Sequence, residues 1–220
     1  MSIVDTGKSN AEILISDKAT KAEKYAASEM AKYLKSAANT DIKILNESGK
    51  ASFKNIILIG NWKSDPEIKK LIDAKTIDLP ENSDKTDAFI IKTLEYEGRN
   101  YLVLSGATER ATLYAVYCFL ERFLNIGFFW EADIIPPIRK DISVNDIDIK
   151  EIPSFNMRFY MQECPFVYST IFWDIEDWKK ELDWMGKKKL NALMVPYDNW
   201  NYCVKMSEIV KEAKARDIIP

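Results

Sequence analysis

Over its first half the chain alternates short apolar runs with stretches in which apolar residues return every third or fourth place. Runs at 11–15, 42–45 and 56–59 predict strands, the last an unbroken apolar segment of the kind buried on both faces of a sheet. Ala22, Tyr25, Ala26, Met30, Tyr33, Leu34 and Ala37 keep helical spacing and predict a helix with one face on that sheet. Thr20 with Glu23 has the form of a capping box, and Asn39 marks the stop. Ser64, Asp65 and Pro66 open a shorter helix with Ile68, Leu71 and Ile72 on its apolar face. An exposed loop at 79–85 precedes strands at 88–94 and 101–104, a hairpin turning at Glu97-Gly98-Arg99-Asn100. Thr108 caps a long helix that buries Leu113, Val116, Tyr117, Leu120 and Leu124. Gly127 is expected to end it, with a short strand at 128–130.

After Pro153 the rhythm changes. Residues 158–161 predict a strand, and Asp174 caps a helix reaching Lys189. Trp178, Leu182 and Met185 form its inner stripe, and Glu176 with Lys180 makes an i,i+4 pair outside. A strand at 190–195, a helix at 207–216 and a third strand begun by Ile218-Ile219 follow. The fold class is therefore α/β: a sandwich-like α+β domain, a sheet with two long helices, followed by the first βαβαβ part of a (β/α)8 barrel. The expected divisions are 1–135 for the first domain, 136–153 for a connector and 154–220 for the barrel portion. Within the connector, Ile142, Val144, Ile147 and Ile149 offer an edge strand. A complete barrel needs about 250 residues, so the portion after Pro153 is an incomplete one. Its open edge and helix faces lead one to expect self-association.

Composition narrows the chemistry. Thirty-one basic and 34 acidic residues are mixed along the chain, leaving no basic stripe for nucleic acid. With no histidine, imidazole-dependent mechanisms are excluded within this chain, and acid–base work falls to carboxylates, tyrosine or lysine. Cys118, Cys164 and Cys203 are odd in number and far apart, so neither a disulfide framework nor a zinc site is expected. Seven glycines and no glycine-rich loop disfavour dinucleotide binding, and no cofactor is expected. No apolar run is long enough to cross a bilayer and no signal peptide is visible at the N-terminus. A cytoplasmic protein is the default expectation, or a secreted one if an export signal has been removed.

The densest chemistry lies at 157–197. There Arg158-Phe159-Tyr160, Gln162, Cys164, Tyr168-Ser169, Trp173-Asp174, Trp178, Asp183-Trp184-Met185 and Leu190-Asn191 keep the spacing of a known pattern. Over about 35 residues the chain resembles the family 89 glycoside hydrolases, the α-N-acetylglucosaminidases. Ser105-Gly106-Ala107-Thr108 and Gly127-Phe128-Phe129-Trp130 resemble the α/β domain that precedes the barrel in families 20, 67 and 115. The family 20 pattern departs at Phe166, Met194 and Pro196, and the family 89 pattern at Gln162 and at Lys189, where it carries glycine. The resemblance implies retaining hydrolysis of terminal N-acetylhexosaminides, with catalytic carboxylates on the fourth barrel strand and later, downstream of Pro220.

Barrel sites form at the C-terminal ends of strands. Gln162, Glu163 and Cys164 follow the first predicted strand, and Tyr197, Asp198, Asn199 and Trp200 follow the second. Amides and carboxylates bind sugar hydroxyls while aromatic rings stack on the pyranose, so these residues are the candidate carbohydrate contacts. The resemblance adds Tyr168 and implies that Gln162 and Cys164 lie in or near the pocket. Against this, Cys164 equally suits a small buried position, and Trp178 and Trp184 suit packing. Glu163 has no second carboxylate to work with. Asp174, Glu176 and Asp177 suit a helix cap, Arg158 a buried ion pair, and Lys187-Lys188-Lys189 a solvated cluster at a helix end. The competing reading is a non-catalytic carbohydrate-binding or structural module.

Overall fold

The apolar run at 56–59 lies in a central strand of a mixed sheet. The computed structural model describes residues 1–46, 50–81, 83, 86–160, 172–193 and 206–215. Two units are distinguished: Met1–Gly127 with Ile134–Ser154, and Phe128–Asp133 with Phe155–Pro220.

The first unit opens with β1 (Ser2–Asp5), β2 (Lys8–Ser9) and β3 (Ala11–Leu14), followed by α1 (Lys21–Ala38), β4 (Ile44–Leu45), β5 (Asn55–Asn61) and α2 (Pro66–Asp73). Then come β6 (Phe89–Tyr96), β7 (Arg99–Gly106) and α3 (Glu109–Leu124); after β8 (Gly127–Phe128) and β9 (Asp133–Ile134), each with one residue in either unit, the first unit ends with β10 (Ile142–Ser143) and β11 (Asp148–Glu151). The main sheet has the order β11-β6-β7-β5-β3-β4, with β4, β3, β5 and β7 parallel and the β6–β7 hairpin and β11 antiparallel. Strands β10, β1 and β2 make a small second sheet, and β8 pairs with β9. The β1–β2 hairpin, turning at Thr6-Gly7 with both φ positive, carries too few apolar residues to be predicted. The β6–β7 turn is tighter than expected, two residues only, with Glu97 at φ 49° and Gly98 at φ 75°.

Alternation along the strands loads both faces. Leu14, Ile56, Leu58, Ile90, Tyr101 and Val103 form one apolar layer with Ile68 and Leu71 of α2. The intervening residues, among them Ile13, Ile57, Ile59, Leu102 and Leu104, are buried on the other face, where α1 and α3 pack together. Tyr117 donates to Glu29 Oε2 at 2.9 Å across that helix pair. Burial first, and then the Glu29 charge, push the Tyr117 hydroxyl well above its ordinary pKa. At the opposite end of the strands Asn55 donates to the Ser2 and Asn10 carbonyls, and Glu12 accepts the Ser52 and Phe53 amides. Helix α1 has the expected Thr20–Glu23 capping box and ends at Asn39 in the left-handed conformation. Helix α3 stops at Asn125, not Gly127, because Asn125 itself adopts φ 57° and closes the last turn onto Leu120.

In the second unit β12 (Phe159–Tyr160) pairs in parallel with β13 (Ala192–Leu193), joined through α4 (Ile175–Lys187) and followed by α5 (Met206–Ala215). Asp174 and Asp177 build a capping box on α4. The helix ends in a Schellman turn: Lys189 N donates to Gly186 O, Leu190 N donates to Met185 O, and Lys189 takes φ 61°. Leu182, Met185 and Ala213 pack with Tyr160, Trp184, Leu190 and Leu193. Trp178 packs with Ile209. Glu176 pairs with Lys179, one place short of the expected partner, while Lys180 lies over the Trp130 ring. Lys187 is not solvated as expected, since it forms an ion pair with Asp133. The third predicted strand, Ile218-Ile219, lies outside the described residues.

Candidate functional site

In an open α/β sheet the natural crevice lies beyond the C-terminal ends of two neighbouring parallel strands whose connections leave in opposite directions. Here those strands are β3 and β5, because β3 connects through α1 to β4 on its outer side while β5 leads through α2 toward β6 and β7. The crevice is filled from within. Glu23 Oε1 accepts the Asn61 amide at 2.7 Å and Oε2 accepts the Thr20 amide at 2.7 Å, with the side chain almost wholly buried. Asp65 caps α2 by accepting the Glu67 and Ile68 amides through Oδ1 at 2.9 and 3.1 Å. Burial raises the Asp65 carboxyl to about 6; its two amide bonds pull it down, and the Glu23 and Glu67 charges push it up further.

Two glycines permit this close packing. A Cβ at Gly60 would lie 2.6 Å from Asp65 Oδ2, and one at Gly106 would lie 2.3 Å from the Thr112 backbone nitrogen at the start of α3. The Asp65 contact could be relieved by a side-chain shift, whereas the Gly106 contact is with backbone. This end of the first unit therefore acts as a fastening of α1, α2 and α3 to the sheet, with Glu23 standing where a ligand would sit.

The second unit holds the strands from which the sequence-predicted pocket would rise. Because β12 and β13 are parallel, Phe159 beside Ala192 and Tyr160 beside Leu193, their C-terminal ends share one edge. Their N-terminal ends are locked together. Asn191 accepts the Arg158 amide and donates to Asn156 O, both at 2.7 Å, and Arg158 Nε donates to Lys189 O at 2.6 Å. Arg158 thus serves the backbone carbonyls of 155, 156 and 189 at the end away from the expected pocket. Of the aromatic residues, Trp130 stacks on Trp173 with centroids 5.7 Å apart and has Lys180 Nζ 4.1 Å from its ring centroid. Trp173 also meets Trp178 edge-on at 5.2 Å, so the three rings pack on one another. Trp130 Nε1 donates to Glu181, whose carboxyl burial pushes upward.

Gln162, Glu163, Cys164, Tyr168, Tyr197, Asp198, Asn199 and Trp200 all lie outside the described residues. Among the described residues no three Cys, Asp or Glu gather as metal ligands, and no helix is long and apolar enough to cross a membrane. The tie from Glu23 to Asn61 went unseen in the sequence, where Glu23 reads only as the far half of a capping box. Only the fold brings the 38-residue separation together.

The sequence model of the glycosyl hydrolase family 67 N-terminus matches residues 5–119, more than half of the chain. The chain belongs to that family. The family 67 N-terminus stretch runs from β1 into α3, so Glu23, Gly60, Asp65 and Gly106 all fall inside it and the second unit falls outside. The chain thus carries the N-terminal domain of glycoside hydrolase-like enzymes. Solved structures extend the likeness of fold. BtGH115A, a family GH115 4-O-methyl-α-glucuronidase with specificity for decorated arabinogalactans, has a TM-score of 0.58 and 16% identity, covering 98% of this chain and 28% of its own. CpGH84D has a TM-score of 0.56 and 15% identity, covering 100% and 34%. A GH138 enzyme targeting pectin rhamnogalacturonan II has 0.54 and 13%, covering 94% and 30%. The chain therefore spans about a third or less of the length of these structures. No curated protein sequence matches it.

Proposed function

We propose that the chain is the leading portion of a glycoside hydrolase, an α/β domain followed by the opening β12–α4–β13–α5 of a catalytic barrel. The observation that carries the reading is the family 67 N-terminus match over residues 5–119, joined in the same chain to a parallel strand–helix–strand unit. On this reading the divisions are the α/β domain at 1–135, a connector at 136–153 and the barrel portion from 154. The pocket wall is built by Gln162, Glu163, Cys164, Tyr168, Tyr197, Asp198, Asn199 and Trp200, and the catalytic carboxylates lie on later strands outside this chain. Retaining hydrolysis uses two carboxyl groups about 5 Å apart. Five described carboxylates of the second unit have other duties: Asp174 and Asp177 cap α4, Glu176 pairs with Lys179, Asp133 with Lys187, and Glu181 accepts from Trp130.

For the substrate, the motif spacing at 158–191 favours terminal N-acetylhexosaminides. A second reading, glucuronosides, draws on the likeness of fold to a 4-O-methyl-α-glucuronidase. The test assays the 220-residue polypeptide and the polypeptide continued along its reading frame on aryl N-acetylhexosaminides and on glucuronosyl oligosaccharides. The short chain is expected to turn over neither, and the extended one to hydrolyse one class. Turnover by the 220-residue chain would overturn the placement of the carboxylates. Glycan binding without hydrolysis by the extended chain would instead support a non-catalytic module.

A further inference from the structure

After Gly127 the chain leaves the first unit, and at Ile134 it returns; the excursion, Phe128–Asp133, belongs to the second unit. It is the tip of the β8–β9 hairpin, and four of its residues meet side chains of α4. The Trp130 indole donates to Glu181 Oε2, and Lys180 Nζ lies 4.1 Å from the centroid of its ring. Both Asp133 carboxylate oxygens accept from Lys187 Nζ, at 3.0 and 2.8 Å. Lys187 Nζ also lies 5.3 Å from the Phe128 ring centroid, and Lys188 Nζ 6.0 Å from that of Phe129. Trp130 further stacks on Trp173, the residue just before the Asp174 cap. One hairpin tip thus engages the head, the middle and the last turn of the helix.

Lys180 and Lys187 stand seven residues apart, as do Glu181 and Lys188, so the four share one side of α4. Beside it runs the stripe of Trp178, Leu182 and Met185, which packs with residues of β12, β13 and α5. The helix needs both supports. At 13 residues it is at the limit of what persists alone in water, about 12–15 residues. Among the described residues β12 and β13 pair over two positions only, and a two-stranded ribbon is marginal by itself. The hairpin tip adds a wholly buried ring in Phe128 and a hydrogen bond to Glu181, a carboxyl group only 1% exposed. The Asp133 and Lys187 side chains are also largely buried, so removing either would leave the other charged in a place poor in water, the costly way to break an ion pair.

We propose that Phe128–Asp133 is a clamp through which the leading domain keeps α4, and with it the β12–α4–β13 unit, folded. Its docking surface is the side of α4 that carries Lys180, Glu181, Lys187 and Lys188. The domain thereby has a duty separate from any contact with sugar, and a second unit begun at residue 154 would be without its clamp.

The test places a site-specific protease sequence at Ser154 of the 220-residue chain, between β11 and Phe155, and cuts the protein after it has folded. The two pieces should co-elute on native size exclusion, because the clamp lies on one and α4 on the other. Trp130→Ala combined with Asp133→Ala should weaken their association at least tenfold. Wild-type pieces that separate at once would overturn the proposal, and so would variant pieces that hold together as firmly as the wild type. Milder changes, Trp130→Phe and Asp133→Asn, are followed in the uncut chain by hydrogen exchange. The α4 amides should exchange about tenfold faster, with α1 and α3 unchanged. Unaltered exchange in α4, or an equal acceleration in α1 and α3, would count against a clamp.

Discussion

Asp65 carries two opposed demands in one carboxyl group. As the cap of α2 it is wanted charged, because Oδ1 accepts two amides; as a side chain 1% exposed and near Glu23 it is wanted neutral. Burial wins, raising its pKa from 3.8 to about 6. An acid that binds its proton more tightly when folded stabilises the fold at low pH. That contribution is present below 3.8 and is lost as pH rises through about 6, an effect of about 3 kcal/mol for a shift of this size. Asp65→Asn should flatten this part of the pH profile. In denaturant titrations at pH 4 and pH 7, the difference between wild type and variant should change by about 2–3 kcal/mol, the wild type gaining at pH 4. An equal difference at both pH values would contradict the assigned titration.

At the scale of elements, α4 shows what a helix end demands. Its Schellman turn places Lys189 at φ 61°, a conformation costing a side-chain-bearing residue about 1 kcal/mol or more. The family 89 pattern has glycine at this position, and Lys189→Gly should stabilise the second unit by about 1 kcal/mol, read as a higher midpoint in Trp fluorescence unfolding. A lower midpoint would indicate that the lysine's own contacts outweigh the strain. Elements of this kind were legible in the sequence where the signal is local. The Thr20–Glu23 box, Asp65-Pro66 at the head of α2, Thr108 before α3 and Asp174 before α4 all cap as their residue types demand. What stayed hidden depends on distance or on compromise. The Asn125 stop of α3 was masked by the nearby Gly127, and the use of Arg158 on carbonyls 155, 156 and 189 follows from a turn 31 residues away. The duty of Trp173 depends on Trp130, more than forty positions earlier.

At the scale of the molecule, the first unit has a complete core with both faces of its sheet covered, by α2 on one side and by α1 with α3 on the other. A fragment ending at Ser154 should therefore melt in one cooperative step by circular dichroism; a broad, non-cooperative loss of signal would contradict this. The edge strand β11 presents Asp148 and Lys150 to solvent, charges that discourage pairing with other sheets. The carboxylate of Glu23 has the widest consequence. Being tethered, it meets the Asn61 and Thr20 amides at an effective concentration on the order of millimolar or higher, whatever the surroundings contain. A free phosphate or nucleotide approaching these two amides would have to displace a carboxylate that never diffuses away.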